Sequence, residues 1–333
     1  MARAKAKRPP ASGGGDKAKR SLFISRLARL FDVRDTEAEA LASIPLRSSL
    51  WINRLSPLGV DAIKDRLVSD GHQISPIPWC ENAFTLESDK GDLATSPLFT
   101  DGHVYIQNAS SMVPVVALDP QPGDAVLDIC AAPGGKSAHI ASRTGGAARL
   151  WLNDALKPRL AKLADVMATF GVTAERVTDH PGQYVDKYID QDFDRILLDA
   201  QCSGEGMMNL SKPGALKHWS MERVEQMGRL QQRMLVSAFK RLKPGGVLVY
   251  STCTYAPEEN EAPVDHLLRH YPAEVEPIGV TIDGTRPGLM RWGDRRFAPT
   301  LAHAVRVVPS PAMEGFFTCR LRKHVDRPGG ADR

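Results

Sequence analysis

The spacing of apolar residues along this 333-residue chain changes near Pro120. Beyond that point, short apolar runs alternate with segments whose apolar residues recur every three or four positions, as on one face of a helix. The runs predict strands at residues 125–130, 149–152, 193–198, 247–251, 303–308 and 316–321, the last two as an antiparallel pair. Helices are predicted after residue 136 and at about residues 156–170 and 221–242. This alternation is typical of an α/β fold with a mostly parallel sheet covered by helices.

The chain before this region has a less regular pattern. Helical spacing at residues 22–31 is followed by a second short helix to about residue 42. Apolar runs separated by turn residues then predict a strand at 50–52, a helix at 60–69 and strands at 74–77 and 83–86. We therefore expect a small α+β module at residues 21–107 and an α/β domain at residues 108–323.

Composition is that of an ordinary globular protein, with 42% apolar and 25% charged residues. No apolar run reaches the roughly 18 residues of a membrane span, and the N-terminus lacks the apolar core of a secretory signal. Residues 1–20 hold seven of the 43 Lys and Arg residues but one of the 39 acidic residues. We expect this basic tail to be disordered and residues 324–333 to be a frayed end. The tail either attracts a polyanion without sequence specificity or is simply solvated.

The cysteines are predicted to be individual free thiols and not to form a disulfide framework. Five are present, widely spaced and without a C-x-x-C pair, at Cys80, Cys130, Cys202, Cys253 and Cys319. This pattern argues against disulfides and against a zinc site, and it favours a reducing compartment. We predict no metal site.

A glycine turn follows the first strand of the α/β domain. Asp128-Ile-Cys-Ala-Ala-Pro-Gly-Gly-Lys136 leads from a strand into a helix, where nucleotides bind in parallel sheets. The turn is not a Walker loop, because Cys130 stands where that loop needs glycine, and it is not G-x-G-x-x-G, because Lys136 stands two positions after Gly134. With Asp154 available to bind ribose hydroxyls, it suits S-adenosylmethionine, which has no phosphate. A purely structural glycine turn is the alternative.

Two further turns at strand ends carry cysteines. Asp199-Ala-Gln-Cys-Ser-Gly-Glu-Gly206 follows one strand, and Ser251-Thr-Cys-Thr254 ends the next. Neighbouring parallel strands lie about 4.8 Å apart, so Cys202 and Cys253 are expected to face one cleft. The other three cysteines are interpreted as small buried residues.

A pair of thiols at such a cleft suits methylation of a pyrimidine at C5. That carbon is a poor nucleophile until a thiolate adds to C6 and turns the ring into an enamine, whose C5 attacks a sulfonium methyl group. Loss of the C5 proton and expulsion of the thiolate complete the cycle. The reaction also needs a polar group that holds the cytosine edge, and Asp199 is placed for that role or for contacting the cofactor.

In these motifs the chain resembles the Sun-type RNA cytosine-C5 methyltransferases, most closely their bacterial small-subunit ribosomal RNA branch. The likeness covers roughly residues 46–323. In chain order its motifs are Pro78-Trp-Cys80, Tyr105-Ile-Gln-Asn-Ala-Ser-Ser-Met112, the Ala-Ala-Pro-Gly-Gly-Lys loop, Asp199-x-x-Cys-Ser-Gly-Glu-Gly206, Lys217-His-Trp-Ser220, Tyr250-Ser-Thr-Cys-Thr254, Glu258-Glu-Asn-Glu261 and Glu314-Gly-Phe-Phe317. Their order and spacing together are specific to this family.

The resemblance implies a Rossmann-like class I methyltransferase with a mostly parallel seven-stranded sheet, preceded by an RNA-recognition module. It implies that Cys253 is the C6 nucleophile and that Cys202 assists release of the methylated RNA. Lys136 belongs to the cofactor pocket or approaches the substrate. The implied S-adenosylmethionine pocket comprises Cys130, Ala131, Ala132, Pro133, Gly134, Gly135, Lys136, Asp154 and Asp199, with Asp179 as a further acid displaced from the family's register. The expected partner is RNA, ribosomal in preference to transfer RNA, bound by a monomer in the cytoplasm, or in the nucleolus of a eukaryote.

The chain departs from the family pattern in three places. Gln201 replaces a proline, which is expected to loosen the turn that carries Cys202. Pro181 stands where a cofactor-contacting acid is usual. The chain ends at Arg333, where the ribosomal branch continues into further RNA-binding domains, so RNA selection is expected to rest on the N-terminal module, the tail and the cleft rim, which adds weight to transfer RNA. The first two departures favour the alternative of a catalytically silent RNA-binding or ribosome-assembly factor. A methyltransferase of small molecules or proteins would leave the cysteine pair unexplained.

Overall fold

The computed structural model describes residues 14–87 and 90–325. The short helices and strands predicted before residue 107 are present, and the first helix begins earlier than expected. The elements of this half are α1 (Gly14–Phe31), α2 (Asp35–Leu41), β1 (Ser48–Ile52), α3 (Val60–Ser69), β2 (Ile74–Pro76), β3 (Ala83–Leu86), α4 (Lys90–Thr95), α5 (Pro97–Thr100), β4 (Val104–Gln107) and α6 (Val113–Leu118).

The second half alternates strands and helices, as the hydrophobic pattern predicts. Its elements are β5 (Ala125–Asp128), α7 (Gly135–Arg143), β6 (Arg149–Asn153), α8 (Lys157–Thr169), β7 (Arg176–Thr178), α9 (Val185–Tyr188), β8 (Phe193–Asp199), α10 (Met221–Lys240), β9 (Leu242–Thr252), α11 (Glu261–His270), β10 (Ala273–Glu276), β11 (Thr285–Pro287), β12 (Arg291–Trp292), β13 (Arg295–Arg296), β14 (Val305–Val307) and β15 (Phe316–Lys323). No helix in the described part of the chain combines the length and apolar character of a membrane span.

The large sheet has the order β11-β14-β15-β9-β8-β5-β6-β7, with β10 added beside β15. The strands β7, β6, β5, β8 and β9 are parallel, and β15 and β14 are antiparallel to their neighbours. The predicted α/β class and the antiparallel pair near the C-terminal end are therefore confirmed. The sheet has nine strands rather than seven, because β10 and β11 extend it.

The strand β9 begins earlier than its hydrophobic pattern predicts. Lys243-Pro-Gly-Gly246 reads as a break between α10 and a strand at 247–251, yet Leu242 already pairs with Phe193 of β8. The register shifts between Phe193 and Arg195, so the Pro-Gly-Gly segment is accommodated as an irregularity within one continuous strand.

The helix α1 packs on the α/β domain and not on the small sheet. Phe23 contacts Trp219 edge-on, with ring centroids 5.2 Å apart. The ammonium of Lys19 donates a hydrogen bond to the carbonyl of Leu216 at 3.1 Å. The sequence pattern groups the first two helices with the N-terminal module, whereas these contacts join α1 to the α/β domain; the domain boundaries stay a prediction.

The expectation that residues 1–20 form a disordered tail fails for residues 14–20, which are helical. Residues 14–20 form the first turns of α1, and Arg20 makes an ion pair with Glu39 of α2. Residues 1–13 lie outside the described residues, as do residues 326–333 of the predicted frayed end.

The small antiparallel sheet has the order β2-β3-β1-β4. Leu50 and Ile52 of β1 face one side, in a core with α3, because side chains alternate along a strand. Trp51 faces the other side and lies nearly parallel to the rings of Tyr105 (centroids 5.5 Å apart) and His139 (4.9 Å). Since His139 belongs to α7, the small sheet is docked on the helix that follows the glycine turn.

Candidate active site

A cleft of about 430 Å³ opens beyond the carboxyl ends of β5, β6, β8 and β9. Its volume is typical of small-molecule sites. The chain order of the sheet reverses at β5, which has β6 on one side and β8 on the other. Such a reversal leaves a crevice between the two diverging connections, and ligands bind there in open α/β sheets.

The glycine turn forms one wall of this cleft. Cys130 and Ala132 line it, while Ala131, Pro133, Gly134, Gly135 and Lys136 complete the turn into α7. Gly134 has φ of +118°, a conformation that favours glycine. The N–H of Ala131 donates to the carbonyl of Asn153 at 2.8 Å, which ties the turn to the end of β6.

Asp154 lies in the cleft as predicted and is almost fully buried. Its Oδ2 accepts from the N–H of Ala132 at 3.2 Å and lies 3.0 Å from Nη1 of Arg159. Arg159 also lines the cleft, a position that sequence reasoning missed. Its only sequence signal is its place in the first turn of α8, five residues after Asp154.

Asp179 does not lie in the cleft. Its exposed carboxylate is 3.1 Å from Nζ of Lys157, and this hydrogen-bonded pair lowers the pKa of Asp179. Gly182 and Gln183, in the short helical turn after β7, line the cleft instead. Asp179, predicted as a further acid of the cofactor pocket, is therefore not among the residues that line the cleft.

Cys202 and Cys253 are brought together as predicted. Their sulfur atoms are 3.2 Å apart, and both side chains are half-buried at the cleft. The parallel register aligns Asp199 of β8 with Ser251 of β9. Cys202 and Cys253 come shortly after these residues in the chain and therefore lie at the same edge of the sheet. The contact with Cys253 and burial both raise the pKa of Cys202.

Burial raises the pKa of each of the other three thiols. Cys80 and Cys319 are buried, as predicted, and burial raises the pKa of Cys80 to about 12. Burial also raises the pKa of Cys130, although this residue is half-buried at the cleft rather than enclosed. None of these three thiols is poised as a thiolate.

Gln201 does not displace the turn that carries Cys202. Its side chain is exposed at the cleft, and its backbone carbonyl accepts from Nε2 of Gln231 at 2.9 Å. The turn keeps Cys202 against Cys253 without the proline that the family resemblance leads one to expect.

These features coincide with a known family. The model of the 16S rRNA methyltransferase RsmB/F family matches residues 115–322, more than half of the chain. The chain belongs to this family. The resemblance to the Sun-type RNA cytosine-C5 methyltransferases is thereby confirmed.

Relatives within the family act on different RNAs according to their names. Ribosomal RNA small subunit methyltransferase F of Klebsiella pneumoniae (strain 342) is 38% identical over 287 residues, which make up 84% of this chain and 58% of that protein. The tRNA (cytosine(49)-C(5))-methyltransferase of Pyrococcus abyssi (strain GE5 / Orsay) is 36% identical over 303 residues, 90% of this chain and 95% of that protein. This RsmB/F chain thus spans less than two thirds of the first relative and nearly all of the second.

The fold is also that of solved methyltransferases. A methyltransferase homologue from Pyrococcus horikoshii superposes with a TM-score of 0.74 at 30% identity, covering 91% of this chain and 99% of that one. The Rossmann-like class I methyltransferase fold is therefore confirmed for this RsmB/F family member.

A half-buried ion pair joins the glycine turn to β8 in this RsmB/F site. Nζ of Lys136 lies 2.7 Å from Oδ2 of Asp199, and the hydroxyl of Ser251 donates to Oδ1 of the same carboxylate at 2.7 Å. Burial alone would lower the pKa of Lys136, but Asp199 outweighs it and the pKa is raised. Lys136 is therefore a fixed positive charge beside the cleft.

Two further carboxyl groups near this pair were not assigned from sequence. Burial raises the pKa of Glu314, in the Glu314-Gly-Phe-Phe motif, to about 7; Lys136 opposes this shift and Asp199 adds to it. Burial likewise raises the pKa of Asp128 to about 7, although its Oδ2 accepts from the hydroxyl of Ser137 at 2.6 Å. Both carboxyl groups are poised to exchange a proton near neutral pH.

Proposed function

We propose that this protein methylates C5 of cytosine in RNA with S-adenosylmethionine as donor, through a covalent bond between Cys253 and C6 of the base. The observation that carries the proposal is the 3.2 Å separation of the Cys202 and Cys253 sulfurs in a cleft that also contains Asp154 and the glycine turn. Two unlinked thiols at one binding cleft suit a reaction that forms a bond to carbon and later breaks it.

The residues of the cleft suit the proposed cofactor. Asp154 presents a carboxylate at the end of β6, and Cys130 and Ala132 present backbone next to it. A carboxylate in that position suits ribose hydroxyls, and the small residues let a nucleoside approach the chain. When bound, S-adenosylmethionine supplies a methyl group on a positively charged sulfur.

Cys253 acts on the base. Its thiol loses a proton, and the sulfur electron pair forms the bond to C6, which places an electron pair on C5. The electron pair on C5 would form the new carbon–carbon bond to the donated methyl group, and the electron pair of the broken methyl–sulfur bond would stay on the donor's sulfur. A base then removes the C5 proton, and the electron pair of that C–H bond expels the sulfur of Cys253, so that the thiolate is regenerated.

Cys202 donates and accepts a proton in the proposed reaction. The contact with Cys253 and burial raise its pKa, which favours the thiol form of Cys202 over the thiolate. A thiol 3.2 Å from Cys253 is placed to exchange a proton during release of the methylated RNA. Asp199, paired with Lys136, is placed to hold the polar edge of cytosine or to contact the cofactor.

We propose ribosomal RNA as the substrate, with transfer RNA as the second candidate. The RsmB/F family match and the name of the Klebsiella relative favour ribosomal RNA. The Pyrococcus abyssi relative, which the chain covers almost completely, favours transfer RNA. A monomeric state and a cytoplasmic location stay predictions.

Labelled methyl transfer tests the proposal. Wild type and Cys253→Ala are incubated with labelled S-adenosylmethionine and, separately, small-subunit ribosomal RNA, small-subunit particles and bulk transfer RNA. We expect incorporation by wild type alone, and bisulfite sequencing then maps the cytosine. Equal incorporation by both proteins would refute the assigned nucleophile.

Calorimetry distinguishes the proposed methyltransferase from the catalytically silent alternative. We expect S-adenosylmethionine to bind wild type and to bind Asp154→Ala at least about tenfold more weakly, because the ribose contact is lost. RNA binding without any S-adenosylmethionine binding would instead support a silent RNA-binding or assembly factor.

A further inference from the structure

A buried carboxyl group connects the two cysteine turns. Glu259 has no exposed surface, and its Oε2 accepts from the backbone N–H of Ser203 at 2.9 Å. Its Oε1 lies 3.3 Å from the hydroxyl of Thr254. Ser203 directly follows Cys202 and Thr254 directly follows Cys253, so one side chain contacts both turns beside their thiols.

The turn that carries Cys202 is fastened on both sides of its thiol. Nε2 of Gln231 lies 3.0 Å from Oε2 of Glu259 and 2.9 Å from the carbonyl of Gln201. Together Gln231 and Glu259 hold the residues immediately before and after Cys202. This clamp explains how the turn stays in place with glutamine at position 201.

The hydroxyl of Thr254 lies between two buried carboxyl groups. Its hydroxyl oxygen lies 2.8 Å from the hydroxyl of Ser203, 3.1 Å from Oε2 of Glu205 and 3.3 Å from Oε1 of Glu259. One hydroxyl hydrogen cannot serve both carboxyl groups. Burial raises the pKa of Glu205 and raises that of Glu259 to about 7, so one of the two carboxyl groups can be protonated and donate to Thr254 while Thr254 donates to the other.

We infer that Glu259 is a positioning residue of the methyltransferase site, which holds the turns of Cys202 and Cys253 at the separation that the two thiols need. The kinetic consequence rests on the proposed function, whereas the geometric consequence does not. A displacement of the thiols of about 1 Å is enough to cost on the order of 100-fold in rate.

The kinetic test compares conservative and disruptive substitutions of Glu259 and of Thr254. Glu259→Ala and Thr254→Val are expected to lower kcat by about 10- to 100-fold with KM for RNA within about twofold. Glu259→Gln keeps an acceptor for Ser203 and a donor toward Thr254, and Thr254→Ser keeps the hydroxyl, so both should stay within about threefold of wild type. The control is Glu276→Gln, which loses a carboxylate paired with Arg320 on the sheet edge and should leave kcat unchanged.

Diamide oxidation tests the geometry without methyl transfer. Diamide takes up two hydrogen atoms as Cys202 and Cys253 lose their thiol hydrogens and form a disulfide, which peptide mass spectrometry identifies. Wild type, Glu259→Gln, Thr254→Ser and Glu276→Gln should form it at similar rates, and Glu259→Ala and Thr254→Val at least about fivefold more slowly. Equal oxidation rates in all six proteins would overturn the inference, whether or not wild type methylates RNA. A kcat of folded Thr254→Val equal to that of wild type would overturn it as well.

Discussion

The ammonium of Lys136 lies 2.7 Å from the carboxylate of Asp199, and this pair connects the first turn of α7 to the end of β8. The two residues are 63 positions apart in the chain. Because α7 follows the glycine turn and β8 leads to Cys202, the pair joins the proposed cofactor wall of the cleft to the cysteine wall.

Replacing the charged residues of this ion pair should show that their contributions to the free energy of unfolding are coupled. Lys136→Met leaves a mostly buried carboxylate without its cation, and we expect a loss of about 1–3 kcal/mol in the free energy of unfolding, measured with urea, and a large loss of methyl transfer. Asp199→Asn should retain the hydrogen bond from Ser251. In the double variant the loss in stability should be smaller than the sum of the single losses. Additive losses would mean that the two groups do not interact.

Removing Cys202 should trap the reaction. If Cys202 assists release, Cys202→Ala with Cys253 intact accumulates a covalent protein–RNA adduct in the presence of S-adenosylmethionine. Denaturing gels should show this adduct as a retarded band. The double variant Cys202→Ala/Cys253→Ala is the matched control and should show none, and absence of the band from both proteins would contradict the division of labour.

Two glycines beside Cys202 should respond very differently to substitution. A Cβ on Gly206 would lie 2.0 Å from the carbonyl oxygen of Gly315, a backbone atom that cannot move aside alone. Gly204 has φ of +76°, which asparagine tolerates, and open space around its Cβ position. We expect Gly206→Ala to lower stability by about 3 kcal/mol or more and Gly204→Asn by less than about 1 kcal/mol. Thermal unfolding decides this, and equal melting temperatures would refute the close approach.

Asp128 should make stability depend on pH. Burial raises its pKa from 3.8 to about 7, so between these values the folded protein holds a proton that the unfolded chain releases. The contribution of this group to stability therefore falls as pH rises from about 4 to 7, by at most about 1.4 kcal/mol per pH unit. Asp128→Asn cannot titrate, so its unfolding free energy should fall less steeply over this window than that of wild type. Parallel profiles for the two proteins would show that Asp128 does not hold the proton.

Much of the fold was predictable because its signals are local. The strands β5, β6 and β8 are short, apolar and followed by turn residues, and such patterns survive in the folded protein because both faces of a parallel sheet are buried. The tight turn at Gly134 and the small residues around it are also legible in the sequence, since positive φ favours glycine. The elements that escaped prediction, such as the early start of β9, depend on pairing with a distant strand.

The same distinction applies to the site. Cys202, Cys253 and Asp154 follow strand ends, and parallel strands bring their carboxyl ends to one edge, so their meeting was predictable. The position of Asp179 depended on the course of a loop, and in the structure its carboxylate lies near Lys157 rather than in the cleft.

The amino-acid sequence by itself determined the family, the α/β class and the candidate residues of the site, because each is encoded in a short motif or a local hydrophobic period. Tertiary structure alone decided that α1 covers Trp219, that Arg159 reaches Asp154, and that Glu259 lies between the two cysteine turns. These contacts join residues distant along the chain, and they depend on how buried polar groups find partners once the elements have packed.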